Sequence, residues 1–204
     1  MTSVIQGWAD AVRELRKGDI PFLVIEIDDV NVRPAQLREL SLALVGLGLE
    51  KPDSVAAALV PMPVMRTAGG LDERLLAGIR TLGRWRRRTG EPISGWRHTY
   101  FERLAGKYGK SNGVIEELGL DHISHIIEKI NSWDKDIHAG LYAHTNLPGD
   151  RLRIRGAPCL QYIQIELHDK SKFTLNALYR SHDYGNKCLG NLIGLCRLGA
   201  LISE

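Results

Sequence analysis

"APCLQYIQIELHDKSKFTLNALYRSHDYGNKCLGN", residues 157–191, decides how the chain is read. Two apolar stretches, 160–168 and 172–179, predict β-strands. The "HDKSK" between them has the polar chemistry of a hairpin turn. Antiparallel pairing about a turn near 169–171 would return residue 180 to the neighbourhood of residue 160. The hairpin therefore predicts that Cys159 and Arg180 meet at one edge of the sheet. Pro158, with its fixed φ, places the Cys159 thiol at a strand entrance rather than in a helix core. A thiol there is a nucleophile if its thiolate is stabilised, and a neighbouring guanidinium does that. A buried, inert cysteine is the alternative. The stretch after Tyr179 gathers Arg180, Ser181, His182, Asp183, Asn186 and Asn191 just beyond a strand.

Outward from this hairpin the chain alternates helices and strands. Trp8, Ala11, Val12 and Leu15 recur at helical spacing and predict a helix over 5–17, with Gly18 as its C-cap. "PFLVIEI" (21–27) predicts a buried strand. Helices are expected at 36–47 and 72–87. The segment 48–70, with three prolines and paired glycines, predicts irregular chain with a short helical piece. "GWRHTYFERLAGKYG" predicts a short helix entering a loop. "LDHISHIIEKINSW" puts Leu120, Ile123, Ile126, Ile127 and Ile130 on one face of an amphipathic helix. A strand near 137–144 and a final helix over 187–202 complete an α+β pattern, several strands with helices against one face.

The 204 residues suit one domain, 1–204, with a real core. With 44% hydrophobic and 25% charged residues the composition is that of a soluble globular protein. No stretch approaches the ~18 apolar residues of a membrane span and no signal-peptide pattern opens the chain, so a cytoplasmic protein is expected. Cys159, Cys188 and Cys196 fit neither a zinc pattern nor a disulfide framework. His122 and His125 lie three apart, a spacing that can hold a metal, but no further ligand follows in pattern. Polar-face histidines, and no metal, are the expectation. "RWRRRTG" (84–90) is either an anion-binding patch or a solvated helix end whose arginines favour the dipole. A net charge of +3 does not call for a nucleic acid, and none is expected as a partner. "RTAGG" (66–70) is a phosphate-wrapping turn or a plain one.

The residues Pro158, Cys159, Gln164, Arg180, Ser181, Asp183 and Asn191 together resemble the thymidylate synthase and pyrimidine nucleotide hydroxymethylase superfamily. The archaeal-type thymidylate synthase, which reads Arg-Ser-His-Asp, is the nearest in pattern; His182 and Asn186 match it. "TYFERL" (99–104), "LDHISHIIEKI" and "GWADAVRELRKGD" look like further pieces of the same family. The resemblance implies a thymidylate-synthase-like fold, a mixed sheet with helices packed on one face. It implies C5 methylation or hydroxymethylation of a uracil nucleotide such as dUMP by a homodimer, with 5,10-methylenetetrahydrofolate as one-carbon donor. In that reading Cys159 is the nucleophile toward C6 and Tyr100 organises water and proton transfer. Arg180 binds the phosphate and favours the thiolate, with Ser181 and Gln164 also on the substrate. Asp183 meets the folate, and Asn191 pairs with O4 and N3–H of uracil.

The pattern is incomplete. A pair of arginines should fall near 137–139, where this chain has Ile137, His138 and Ala139; each charged hydrogen bond so lost is worth ~1.5–3 kcal/mol. Cys188 and Leu189 stand where archaeal relatives have Trp-Pro. The family also continues past the last helix, so a C-terminal segment is expected to be lacking. The second expectation is therefore a degenerate or truncated member that binds a nucleotide or protein partner without catalysis.

Overall fold

The computed structural model describes residues 1–89, 98–110, 112–133, 139–148, 150, 157–169 and 172–204. The 157–191 hairpin forms as expected. Strand β3 (Ala139–His144) pairs with β4 (Leu160–Asp169), which pairs with β5 (Lys172–Tyr179), all antiparallel. A second, two-stranded sheet joins β1 (Lys107–Gly109) to β2 (Ile115–Glu117). Among the described residues eight helices accompany these: α1 (Val4–Leu15), α2 (Pro34–Gly46), α3 (Pro52–Ala56), α4 (Met62–Arg66), α5 (Leu71–Thr89), α6 (Tyr100–Leu104), α7 (His122–Asn131) and α8 (Cys188–Ser203). The fold is α+β. Among the described residues both sheets are antiparallel rather than mixed, and the one parallel pairing is an isolated Ser3–Asp29 bridge.

Alternation along β4 gives the large sheet its two faces. Ile163, Ile165 and Leu167 are buried against the helices, while Tyr162, Gln164 and Glu166 take the other side. A bulge between Leu160 and Tyr162 shifts the register by one, so Leu160 is buried as well. The outer face carries Tyr142 (63% exposed), Tyr162 and Leu178, and the two tyrosine rings stack with centroids 5.8 Å apart.

Helix α8 belongs to both hydrophobic clusters. Its Leu198, Leu201 and Ile202 pack with the sheet, α5 and α7. Its Cys188, Leu189, Leu192 and Ile193 pack with Val4 of α1, Leu44 of α2 and Ala56 of α3. Close approach to α3 and the turn after it requires glycine at two places. A Cβ on Gly190 would lie 2.7 Å from the Pro52 carbonyl oxygen, and one on Gly194 would lie 2.8 Å from Leu59 Cβ.

Several expectations are corrected. Residues 21–27 form no strand: Phe22 and Val24 are 72% and 74% exposed, while Ile25 and Ile27 lie on α1 at Gly7. The segment has a strand's alternation but, among the described residues, no ladder to join. The stretch 48–70 holds two short helices, and the chain after α6 enters the small hairpin rather than a loop. His122 is buried, its ring edge-to-face with His144 at 5.1 Å, so it is no polar-face histidine; His125 is exposed. Burial, with His144 near it, lowers the His122 pKa. Ile137 and His138, the turn at 170–171, and the side chains of 86–90 lie outside the described residues. Among those described, no helix is long and apolar enough to cross a membrane, and no cluster of side chains could hold a metal ion.

Candidate active site

The site grows from the start of β4. Thr99 caps α6 with a full capping box, its side chain accepting from Glu102 N–H while the Glu102 carboxylate accepts from Thr99 N–H. The next residue, Tyr100, is thereby aimed inward. Its hydroxyl oxygen accepts from the N–H groups of both Cys159 and Leu160, each at 3.2 Å. Burial pushes the Tyr100 phenol up to about 12, so it stays protonated across the physiological range.

The other side of Cys159 is held by β5. Arg180 N–H donates to the Cys159 carbonyl at 2.9 Å, as the hairpin register requires. The Arg180 side chain curls back along the same strand entrance. Its Nε–H donates to the Pro158 carbonyl (3.2 Å) and its terminal nitrogen to the Ala157 carbonyl (2.9 Å). Gln161 Nε2 also donates to Pro158 O, and Thr145 Oγ1 to Leu160 O. These bonds use two of the five guanidinium N–H groups, and the side chain remains exposed. Cys159 is half-buried and thus reachable, with its backbone fixed on both sides. Burial pushes the Cys188 and Cys196 thiols up to about 12 and about 11, which keeps both protonated and unreactive.

Behind Cys159 stands an aromatic stack. The Tyr179 and His182 rings lie nearly parallel, 4.2 Å apart, and Tyr184 closes on His182 at 5.2 Å. The Tyr179 hydroxyl is buried with no hydrogen-bond partner among the described residues. Burial first, then the neighbouring Tyr100, Cys188 and Cys159, raise its pKa well above the ordinary phenol value. His182 in turn meets Asn191, with Asn191 Nδ2 2.8 Å from His182 Nε2. Asn191 sits in the first turn of α8, 6% exposed.

Asp183 organises the connecting turn. Its carbonyl accepts from Lys187 and Cys188 N–H, and its Oδ1 accepts from Asn186 N–H. Trp8 Nε1 of α1 donates to the Tyr184 carbonyl at 2.9 Å, and Asn186 Oδ1 accepts from Glu50 N–H, so the turn is tied at both ends. The Asp183 and Ser181 residues are exposed. Gln164 is not brought to this place. It pairs in register with Tyr142 and Asn176 on the outer sheet face, opposite the buried Ile163 and Ile165.

The structure thus sets Tyr100 and Arg180 at the Cys159 backbone and joins Tyr179, His182 and Asn191 in a chain that starts from the neighbouring strand end. It leaves Ser181 and Asp183 exposed and places Gln164 on the outer sheet face. Sequence reasoning missed the roles of Tyr179 and His182. The i, i+3 spacing of two aromatic rings across a turn was the available signal. It missed as well the buried Arg103–Asp150 ion pair. Arg103 also donates to the Thr145 carbonyl at 2.9 Å, tying α6 to the loop after β3.

Three curated archaeal proteins, each named "Putative thymidylate synthase", are similar to this chain. The protein of Methanosarcina barkeri is 30% identical over 116 residues, 57% of this chain and 48% of its own length. That of Methanosarcina mazei is 29% identical over the same shares. That of Methanopyrus kandleri is 30% identical over 112 residues, 55% of this chain and 48% of its own. The chain spans about half the length of these relatives. No family model matches it, and no solved structure does. The likeness relates the chain to thymidylate-synthase-like proteins without singling out one member.

Proposed function

We propose that the protein carries out thymidylate-synthase-like C5 methylation or hydroxymethylation of a uracil nucleotide such as dUMP through a covalent Cys159 adduct. The observation that carries this reading is the convergence on Cys159 of Tyr100 from α6 and Arg180 from β5. The thiolate adds to C6 of the base. The outward N–H groups of Arg180 meet the 5′-phosphate, with Ser181 beside it. Asn191 offers an acceptor and a donor side by side to O4 and N3–H. The likeness to proteins named as thymidylate synthases supports the substrate class.

Methylenetetrahydrofolate, when bound, supplies the one-carbon unit. Asp183 fits a donor-rich ring of that kind, since Asn186 N–H holds one carboxylate oxygen on an exposed turn and leaves an acceptor beside it. The chain 1–204 is read as one thymidylate-synthase-like unit, because α8 fastens both clusters. A homodimer through the outer sheet face accords with the exposed Tyr142, Tyr162 and Leu178. On that reading Tyr162→Glu would shift sedimentation from dimer to monomer, and an unaltered protein already monomeric would overturn it.

The second reading is a nucleotide- or partner-binding relative without turnover. It is favoured by the ties of the Arg180 guanidinium to the Ala157 and Pro158 carbonyls, and by the placement of Gln164 away from the site. Tritium release from 5-tritiated dUMP, with and without methylenetetrahydrofolate, separates the two. Release that Cys159→Ser abolishes, with a 5-fluoro-dUMP adduct on Cys159, is expected. No release and no adduct would reject catalysis on dUMP and leave the binding reading.

A further inference from the structure

We propose that His182 is a positioning residue that fixes which way the Asn191 amide faces, and thereby sets the preference for a uracil over a cytosine base. The inference rests on the reading of Asn191 as the residue that meets the base.

The chemistry begins with the two bases. Uracil presents an acceptor, O4, beside a donor, N3–H. Cytosine presents the reverse, the 4-amino donor beside the bare N3. A carboxamide carries one acceptor and one donor group side by side, and half a turn about its last bond exchanges them. An asparagine free to turn therefore satisfies either base. Selectivity requires something that holds the amide one way.

His182 supplies it. Asn191 Nδ2 lies 2.8 Å from His182 Nε2, and an amide nitrogen only donates, so this bond needs Nε2 as the acceptor and the ring proton on Nδ1. Turning the amide over would set its oxygen against that lone pair and break the bond. The ring cannot swing away to relieve this, because Tyr179 stacks on it at 4.2 Å and Tyr184 closes on it at 5.2 Å. A proton on Nε2 would also undo the lock, by charging the ring or by crossing over from Nδ1. Burial opposes the first, holding the His182 pKa down to about 4, with Asp183 the nearby charge pulling the other way. The proposal requires that the Nδ1–H form be the one kept. Asn191 itself is held by its backbone N–H bond to the Lys187 carbonyl at 2.9 Å and is almost fully buried. The bond to His182 uses one amide hydrogen and leaves the oxygen and the second hydrogen for a ligand.

Two measurements test this. Nitrogen NMR of the unaltered protein at neutral pH should show His182 with a bare Nε2 and a protonated Nδ1; a proton on Nε2 would overturn the lock. His182→Phe keeps a ring between Tyr179 and Tyr184 and removes the acceptor. Its binding of dUMP relative to dCMP should fall at least about tenfold, the equivalent of about 1.4 kcal/mol, with phosphate-driven affinity for both retained. An unchanged ratio in a folded variant would overturn the proposal. If the unaltered protein binds neither nucleotide, the base reading of Asn191 fails, and the tautomer still decides whether the lock exists.

Discussion

The Tyr100 hydroxyl accepts from two consecutive amides, and one of them, Leu160 N–H, belongs to a fully buried residue. Tyr100→Phe removes that acceptor while keeping the ring. Unfolding by urea should show a loss of about 1–3 kcal/mol, the cost of a buried donor left unpaired. On the proposed function, turnover of dUMP should fall more than binding, since the amide frame around Cys159 loosens. His182 adds a pH dependence of known sign. Its folded-state pKa of about 4 lies below the ordinary histidine value of about 6.5. As pH falls through that ordinary value the unfolded chain takes up a proton that the folded protein refuses. Stability should therefore decline between about pH 6.5 and 4, by on the order of 3 kcal/mol from this group, and His122 acts in the same direction. Comparing urea midpoints near neutral pH and at about pH 5, His182→Phe should lose most of the difference. At this scale the meeting of Cys159 and Arg180 was legible, because hairpin register carries it. The Tyr179–His182–Asn191 chain was not, because its one signal, two aromatic rings three residues apart, does not by itself say that they stack across a turn.

Among the elements, α8 and α3 are the most closely fitted. Gly190→Ala forces a methyl group onto the Pro52 carbonyl and the Val55 side chain, with backbone on one side of the clash. It should cost about 1–3 kcal/mol. Gly199→Ala, on the same helix, meets only Leu175 Cδ1 at 3.9 Å and should be neutral or stabilising by up to about 1 kcal/mol. Thermal denaturation of the two variants checks both. The buried Arg103–Asp150 pair ties α6 to the loop after β3, and Arg103→Met should cost about 3–5 kcal/mol, because it takes the opposite charge away from the buried Asp150 carboxylate, which keeps the Leu147 N–H. Strands β4 and β5 and helix α8 were readable because apolar runs and polar turn residues bound them locally. The run 21–27 was misread for a related reason: its β-rich centre reports an extended chain but not whether a partner strand stands beside it. The β1–β2 hairpin escaped because three-residue strands are too short to show a period.

For the whole molecule, α8 should couple the unfolding of the two hydrophobic clusters. One end is fastened in the cluster with α1, α2 and α3, the other in the cluster with the sheet and α7. Leu201→Ala, at a site 2% exposed, should lower stability by about 2–5 kcal/mol. The loss should be the same by tryptophan fluorescence, which samples Trp8 in the first cluster and Trp133 in the second, as by far-ultraviolet circular dichroism. Non-coincident transitions would show that the clusters melt separately. The unladdered run 21–27 divides the molecule in another way, by time. Among the described residues its amides have no strand to shelter them, whereas those of β4 lie inside a ladder on both sides. In deuterated water the former should exchange at nearly the rate of a free peptide. The latter should wait for the whole protein to open. A single exchange experiment then carries an internal clock, its fast hand near the N-terminus and its slow hand beside Cys159.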